Sequence, residues 1–419
     1  MRSETSLSNL LVAKIFIWVF SFLSFILLLI YSVVPISFLM NFQLIKDLIL
    51  FFCVFVLFYS WLDRGEFKIK RDLLFFLILL YTLILFVFCL LSEASLKFSI
   101  YNFRKIISLF ILFILFKNLF LLKESFNKLL KYINSLFIVF FVFGLIDFYF
   151  GEFFWDSIFN LSGFWNSNST DFAELNSFSQ SGRAYSSDLY FLTGERNRRI
   201  MSFFLEPTAY ASFLSVALAY NVLISKNKVF ILLILLSGML TFSKFFIFSI
   251  FIIYTILYFK RIRISLVIFF TFILFFISKY LYETFALFHG SFSHFNGFYT
   301  GFNLLKDNIF GFGLGVAGNR GESLISTMNG EFGGESGLGN IMAQIGIVGF
   351  IHGLLLLLII HKVSILYKYT RNVNFQFILA IMLCYYLNFL LSASSLSLTS
   401  QGIYFILAGI ALNTKFINN

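Results

Sequence analysis

Charge is scarce in this chain, and so are the residues that build metal sites, disulfides and tight turns. Only 12% of its 419 residues are Asp, Glu, Lys or Arg, and there are four histidines, three cysteines and two prolines. A soluble domain of this length does not combine so little charge with 60% hydrophobic residues and a mean hydropathy of +0.92. Cys53, Cys89 and Cys384 all fall inside apolar runs. They read as packing residues, which excludes a disulfide framework and a zinc spacing. There is no HExxH, no DxD on a polar stretch and no phosphate loop ending in GKS, so neither a metal nor a cofactor is expected. No internal repeat recurs at a fixed period, which disfavours transporter folds built from matched halves. The two prolines, Pro35 and Pro207, fall at the end of the first apolar run and near the start of the sixth.

What is abundant is long apolar sequence, with 65 phenylalanines. Runs of the length that crosses a bilayer core recur from end to end, and they are apolar throughout rather than alternating, which excludes a β-barrel. The expected fold is an all-α polytopic membrane protein of about 12 transmembrane helices. Spans one to five occupy 1–150, a first large polar loop 151–199, spans six to nine 200–280, a second large loop 281–337, and spans ten to twelve 338–419. The first run is expected to be a retained span rather than a signal peptide. The apolar stretch 229–259 is too long for one upright span and is expected to turn back near Ser243 and Lys244. With twelve spans both termini share a side. If that side is the cytoplasm, 19 of the 31 Lys and Arg lie in short cytoplasmic segments, in keeping with the positive-inside rule. Both large loops then face outward. The net charge of +11 is accounted for by this bias and is no signal for nucleic acid.

Three polar clusters fall at the expected outer edge. Arg196, Arg198 and Arg199 end the first loop, followed by Glu206 and Pro207. Arginine suits phosphate because its planar fork donates two parallel hydrogen bonds. The alternatives are an interfacial anchor for Arg199 and, for Glu206, an acid favoured by the helix dipole. Thr241, Ser243 and Lys244 occupy the turn within 229–259. Lys244 is either an exposed turn lysine or a charge aimed at an anionic lipid head. The third cluster, Arg320, Glu322, Glu331 and Glu335, sits in the stretch Gly311 to Gly349, which holds 12 of the 25 glycines. Such a stretch lets backbone approach a ligand closely, and is expected to be either a wall of an active site or a flexible loop. Glu335, just before span ten, is the best-placed proton acceptor; His289 and His294 in the same loop read as solvated. Trp155, Trp165, Tyr185, Tyr190, Phe191 and Tyr299 fit either sugar stacking or an interfacial aromatic belt.

The topology and three stretches, RIMSFFLEPTAYASFL from Arg199, LTFSKFFIF from Leu240, and GFGLG from Gly311 with GGESGLGNIMAQIGIVG ending at Gly349, together resemble the bacterial O-antigen polymerases and the related O-antigen ligases. The resemblance covers about half the chain. The ligases tend to carry a histidine eleven residues before the glycine that here is Gly346; this chain has Glu335 there, which is closer to the polymerases. The resemblance implies a metal-independent glycosyltransferase in the bacterial inner membrane, acting on undecaprenyl-diphosphate-linked oligosaccharides at the periplasmic face. A hydroxyl of one repeat attacks the anomeric carbon of the growing chain and lipid diphosphate leaves, with inversion. In that scheme Glu335 or Glu206 orients or deprotonates the acceptor, and Arg198, Arg199, Lys244 and Arg320 neutralise the diphosphate. A chain-length regulator is implied as a possible protein partner. The rival readings are an O-antigen ligase and a lipid-linked oligosaccharide flippase.

Overall fold

The computed structural model describes residues 2–33, Phe55, 72–119, 121–168, 184–186, 197–259, 264–284, 293–317 and 336–413. Among these, α1 (Arg2–Val33), α2 (Leu73–Leu90), α3 (Leu96–Asn118), α4 (Lys123–Glu152) and the short α5 (Leu161–Asn168) form the first half. A two-residue hairpin, β1 (Tyr185–Ser186) and β2 (Asn197–Arg198), precedes α6 (Pro207–Tyr220), α7 (Lys228–Leu240), α8 (Lys244–Tyr258), α9 (Ile264–Thr284) and α10 (Ser293–Asn303). The chain closes with α11 (Gly337–Ile345), α12 (Gly349–Thr370), α13 (Val373–Leu391) and α14 (Leu398–Ala411). Seven helical stretches in the described residues are long and apolar enough to cross a membrane, and four shorter apolar helices accompany them. This suits an all-α, multi-pass membrane protein. Span two, expected over about 44–62, lies outside the described residues except for Phe55.

Packing follows from side-chain size. α6 reads PTAYASFLSVALAY, and all but one of its residues are buried. Its small Ala and Ser side chains let neighbours come close, which is how helices associate where lipid offers no hydrophobic drive. α13 is buried almost throughout. α6, α13 and α14 form the centre, and α2, α7 and α9 turn large apolar side chains outward.

Several boundaries differ from the sequence expectation. Residues 200–206 form no α-helix, only a single 3-10 turn at Ser202–Phe204. Ser202 and Leu205 take left-handed backbone angles (φ 52° and 58°), and α6 starts only at Pro207, where the missing N–H costs nothing. The basic stretch 361–374, expected as a gap, is helical to Thr370. Lys362 and Lys368 are carried on the helix, and Lys362 reaches Asp72. Span ten is broken at Gly346–Val348. At Gly346 φ is +60°, and a Cβ there would lie 2.1 Å from the Ile309 carbonyl, so glycine is required for chain 309–311 to pass. Residues 153–168, expected to be loop, are helical on either side of Asn160 and press Trp155 and Phe159 against Phe25, and Phe164 against Tyr31, of α1. The stretch 229–259 does divide, into α7 and α8, with Thr241–Ser243 between them.

Two ends of the bundle can be told apart. At one, Asp72 Oδ2 receives Lys117 Nζ at 2.5 Å and Lys362 Nζ at 2.9 Å, and Asn413 donates to the carbonyls of Lys117 and Leu119. Asn374 reaches Asn127 and Gln376 reaches the Ile256 carbonyl. The starts of α2, α4 and α13 and the ends of α3, α8 and α14 therefore share this basic end. Because each helix runs to the opposite face, Ser92, Asp147, Ser243 and Leu391 share the other.

Burial alone would raise the Asp72 carboxyl, but hydrogen bonds from Lys117, Lys362 and the Phe75 N–H outweigh it and hold the group at about 2, below its ordinary 3.8. A carboxyl depressed in the folded state contributes stability that is complete above 3.8 and lost as pH falls through about 2. Thermal unfolding of the detergent-purified protein is expected to weaken across that window. Asp72→Asn should remove this part of the loss, and an unchanged acid profile in the variant would refute the tie.

Candidate functional site

The end opposite the basic tie gathers most of the polar residues singled out from sequence. Its anchor is one that sequence reading passed over. Asp147, near the end of α4, is fully buried. Its Oδ1 accepts Arg198 Nη2 at 2.6 Å and the indole N–H of Trp155, and its Oδ2 accepts the backbone N–H groups of Met201 at 2.7 Å and Ser202 at 3.0 Å. Four donors on one carboxylate meet the condition for burying a charge. They also impose the unusual backbone at 201–205, since the amides must turn inward to reach it.

Arg198 was expected to face a diphosphate. Its Nη1 donates to the Ala184 carbonyl at 3.0 Å, its Nη2 to Asp147, and its guanidinium lies 5.5 Å from the centre of the Tyr185 ring. Only 11% of the side chain is exposed. Arg198 is thus a strut that fixes the returning chain, and its fork is already used. Trp155 likewise is neither a sugar platform nor an interfacial belt residue; it is buried beneath α4. Trp165 is buried as well.

The strut sets the position of the next residue. Arg199 donates its backbone N–H to Ala184 and its Nε to the Thr241 carbonyl at 2.9 Å, and Ile200 N–H bonds the Leu240 carbonyl at 3.0 Å. The end of the first large loop is therefore stitched onto the α7–α8 turn. Arg199 lies on the turn that Lys244 follows as the first residue of α8. Thr241 Oγ1 caps this turn by donating to Gly238 and accepting from Ser243 N–H. α6 and α8 pack together and start at this same end, so two positive helix termini point the same way. Glu206 is the N-cap residue of α6, half-buried, and makes no capping bond with its side chain. The structure thus brings Arg199, Lys244 and the starts of α6 and α8 to one end.

The glycine-rich stretch enters from the other side of this end. Ser92 and Ser99 both donate to the Leu314 carbonyl, at 2.6 and 2.8 Å. Phe312 and Gly313 N–H bond the carbonyls of Ala343 and Gln344, and Gly315 N–H bonds Gln344 Oε1 at 2.8 Å. Ser336 caps α11 and donates to the Leu390 carbonyl. A Cβ on Gly301 would stand 2.5 Å from the Gly339 Cα, so α10 and α11 meet backbone to backbone. The described glycines Gly311, Gly313, Gly315, Gly337 and Gly346 each bring the backbone close against neighbouring chain. Glu335, Arg320, Glu322 and Glu331 lie outside the described residues, as do Arg196, His289, Tyr190 and Phe191; Tyr299 is on α10, its ring 5.8 Å from that of Phe275. Among the described residues no group of His, Cys, Asp and Glu is arranged to hold a metal.

Comparison with family models, with curated proteins and with solved structures finds no match.

Asp147 could have been found from sequence. It is the lone acid inside the run LFIVFFVFGLIDFYF, and a charge in such a run needs a partner. Replacing it with leucine leaves the buried Arg198 charge uncompensated, with an expected loss of about 3–5 kcal/mol. Adding Arg198→Met should recover part of that loss. Thermal unfolding of the two variants in detergent measures this; a double variant no more stable than Asp147→Leu would show that the pair is not coupled.

Proposed function

We propose that this chain is a polysaccharide polymerase of the O-antigen type, a metal-independent glycosyltransferase acting on polyprenyl-diphosphate-linked oligosaccharides. In this reading it resides in the bacterial inner membrane with both termini cytoplasmic, and the end bearing Arg199 and Lys244 faces the periplasm. The observation that carries the proposal is the bond from Arg199 Nε to the Thr241 carbonyl. It brings a cation from the first large loop to the turn that opens α8, where Lys244 supplies a second. Two cations beside two helix N-termini form an electropositive edge suited to a departing diphosphate. The apolar helices around it suit prenyl tails.

The reaction follows from these parts. An acceptor sugar hydroxyl attacks the anomeric carbon of the growing chain. The bond to the diphosphate oxygen breaks, and the negative charge that develops there is met by Arg199, Lys244 and Arg320. The hydroxyl proton passes to a carboxylate, with Glu335 and Glu206 as the two candidates. Arg198 is assigned a positioning role, holding Arg199 through the hairpin and Asp147. A length-regulating protein partner belongs to this reading as well.

The test is the banding of surface polysaccharide on a gel. A strain lacking this chain should carry lipid A core capped by a single repeat. Arg199→Ala should give the same pattern while the protein still inserts, with ladder intensity at least tenfold below wild type. Uncapped core together with polymer retained on its lipid carrier would identify a ligase instead. A ladder of ordinary length in the deletion strain would contradict polymerisation altogether.

A further inference from the structure

A second set of polar groups lies away from the cationic turn, in the interior between α11, α12, α13 and α14. Six of its atoms are buried and without a hydrogen-bond partner: Asn340 Nδ2, His352 Nε2, Tyr385 OH, Asn388 Nδ2, Ser395 Oγ and Gln401 Oε1. Each such group in a dry site costs about 1–3 kcal/mol, and native interiors hold few of them. Six around one helix hairpin therefore call for a common explanation.

Their contacts link them. The His352 ring stacks on Phe389 at 4.7 Å, with Asn388 adjacent in sequence and Tyr385 one turn earlier on α13. The Tyr385 ring meets Phe405 of α14 at 4.8 Å, one turn beyond Gln401. Gly337 packs on the Phe389 carbonyl and on Ser395 Oγ, with Asn340 one turn further along α11. The groups thus form a seam around α13, with Ser395 at the polar end of the bundle and His352 deeper inside.

The orientation of two amides follows from their neighbours. Gln344 Oε1 accepts the Gly315 N–H, so its Nε2 donates to Asn340 Oδ1 at 2.6 Å, and Asn340 is left with a donor. Ser212 Oγ donates to the Thr208 carbonyl, so it accepts Gln401 Nε2 at 2.9 Å, and Gln401 is left with an acceptor. When His352 Nδ1 accepts the Tyr81 hydroxyl at 3.4 Å, Nε2 is a donor. The seam is therefore neutral and offers donors and acceptors mixed, among aromatic rings. A cation would lack a carboxylate and an anion would lack a positive charge. A small neutral molecule that both donates and accepts is the matching ligand.

We propose that this seam is an internal hydration site, a short file of ordered water molecules reaching from Ser395 to His352. Water in such a site makes two to four hydrogen bonds to groups that would otherwise be orphaned. The proposal does not depend on the polymerase reading, and its test needs no substrate. Purified protein in detergent is exposed to a brief X-ray pulse in ¹⁸O-labelled water, and hydroxyl-radical modification is read by mass spectrometry at Tyr385 and Phe389, both buried. Labelling at least fivefold above buried Phe113 and Phe137 is expected, as is loss of most of it in Asn388→Leu. Labelling at the level of those two controls would overturn the proposal. Stability gives an independent reading. Tyr385→Phe should lower the unfolding temperature if its hydroxyl holds water, whereas a rise would mark a dry, orphaned hydroxyl and count against the site.

Discussion

A single buried carboxylate holds the polar end of this protein together. Asp147 draws in the Arg198 guanidinium, the Trp155 indole and two backbone amides, and these four donors come from three pieces of chain. Trp155 is in the helical segment that follows α4, Arg198 in the returning hairpin, and Met201 and Ser202 in the entry to α6. In an apolar interior an unpaired charge is prohibitive, so these pieces have one arrangement that satisfies all four donors. The position of Arg199 follows, and with it the stitch between the first large loop and the α7–α8 turn. A residue with no proposed part in chemistry thus sets the geometry of those that have one.

The glycine-rich stretch illustrates a second constraint. Backbone in a membrane protein must find partners for every N–H and C=O it buries. Residues 309–315 do so against Ser92, Ser99 and residues 343–347, which demands that chains pass at distances no side chain permits. Gly346 and the pair Gly301 and Gly339 are where that demand is met. The consequence is a rigid junction joining α2, α3, α10, α11 and α12 at the same end as Asp147. Ser336 caps α11 at this end and donates to the Leu390 carbonyl.

Hydropathy made the helices legible, because apolar runs of bilayer length have few alternatives in lipid. It also made the α7–α8 turn legible, since Thr241, Ser243 and Lys244 interrupt a stretch too long for one span. The ends of helices were less so. α12 runs on through Lys362 and Lys368 because a lysine stem packs along a helix while its head reaches Asp72, and hydropathy scores only the head. Residues 153–168 are helical on either side of Asn160 because their aromatic residues pack on α1, a tertiary reason that no local pattern carries. Arg198 and Arg199 look alike in sequence. Only the hairpin separates them, turning one toward Asp147 and the other toward Thr241. Trp155 misled for a similar reason: burial, not type, decides whether an indole meets a sugar or a carboxylate.

The account requires the first and second large loops to emerge from one face of the membrane, since their cations are to meet a single leaving group. Single cysteines placed at Ser181 and Ser326, in a chain freed of its three native cysteines, can be probed in intact cells with a thiol reagent that cannot cross the inner membrane. Cysteine at Ser225, between α6 and α7, serves as the cytoplasmic control. The account expects labelling at 181 and 326 and none at 225 until the membrane is opened. Labelling of only one of the two loop positions in intact cells would contradict it.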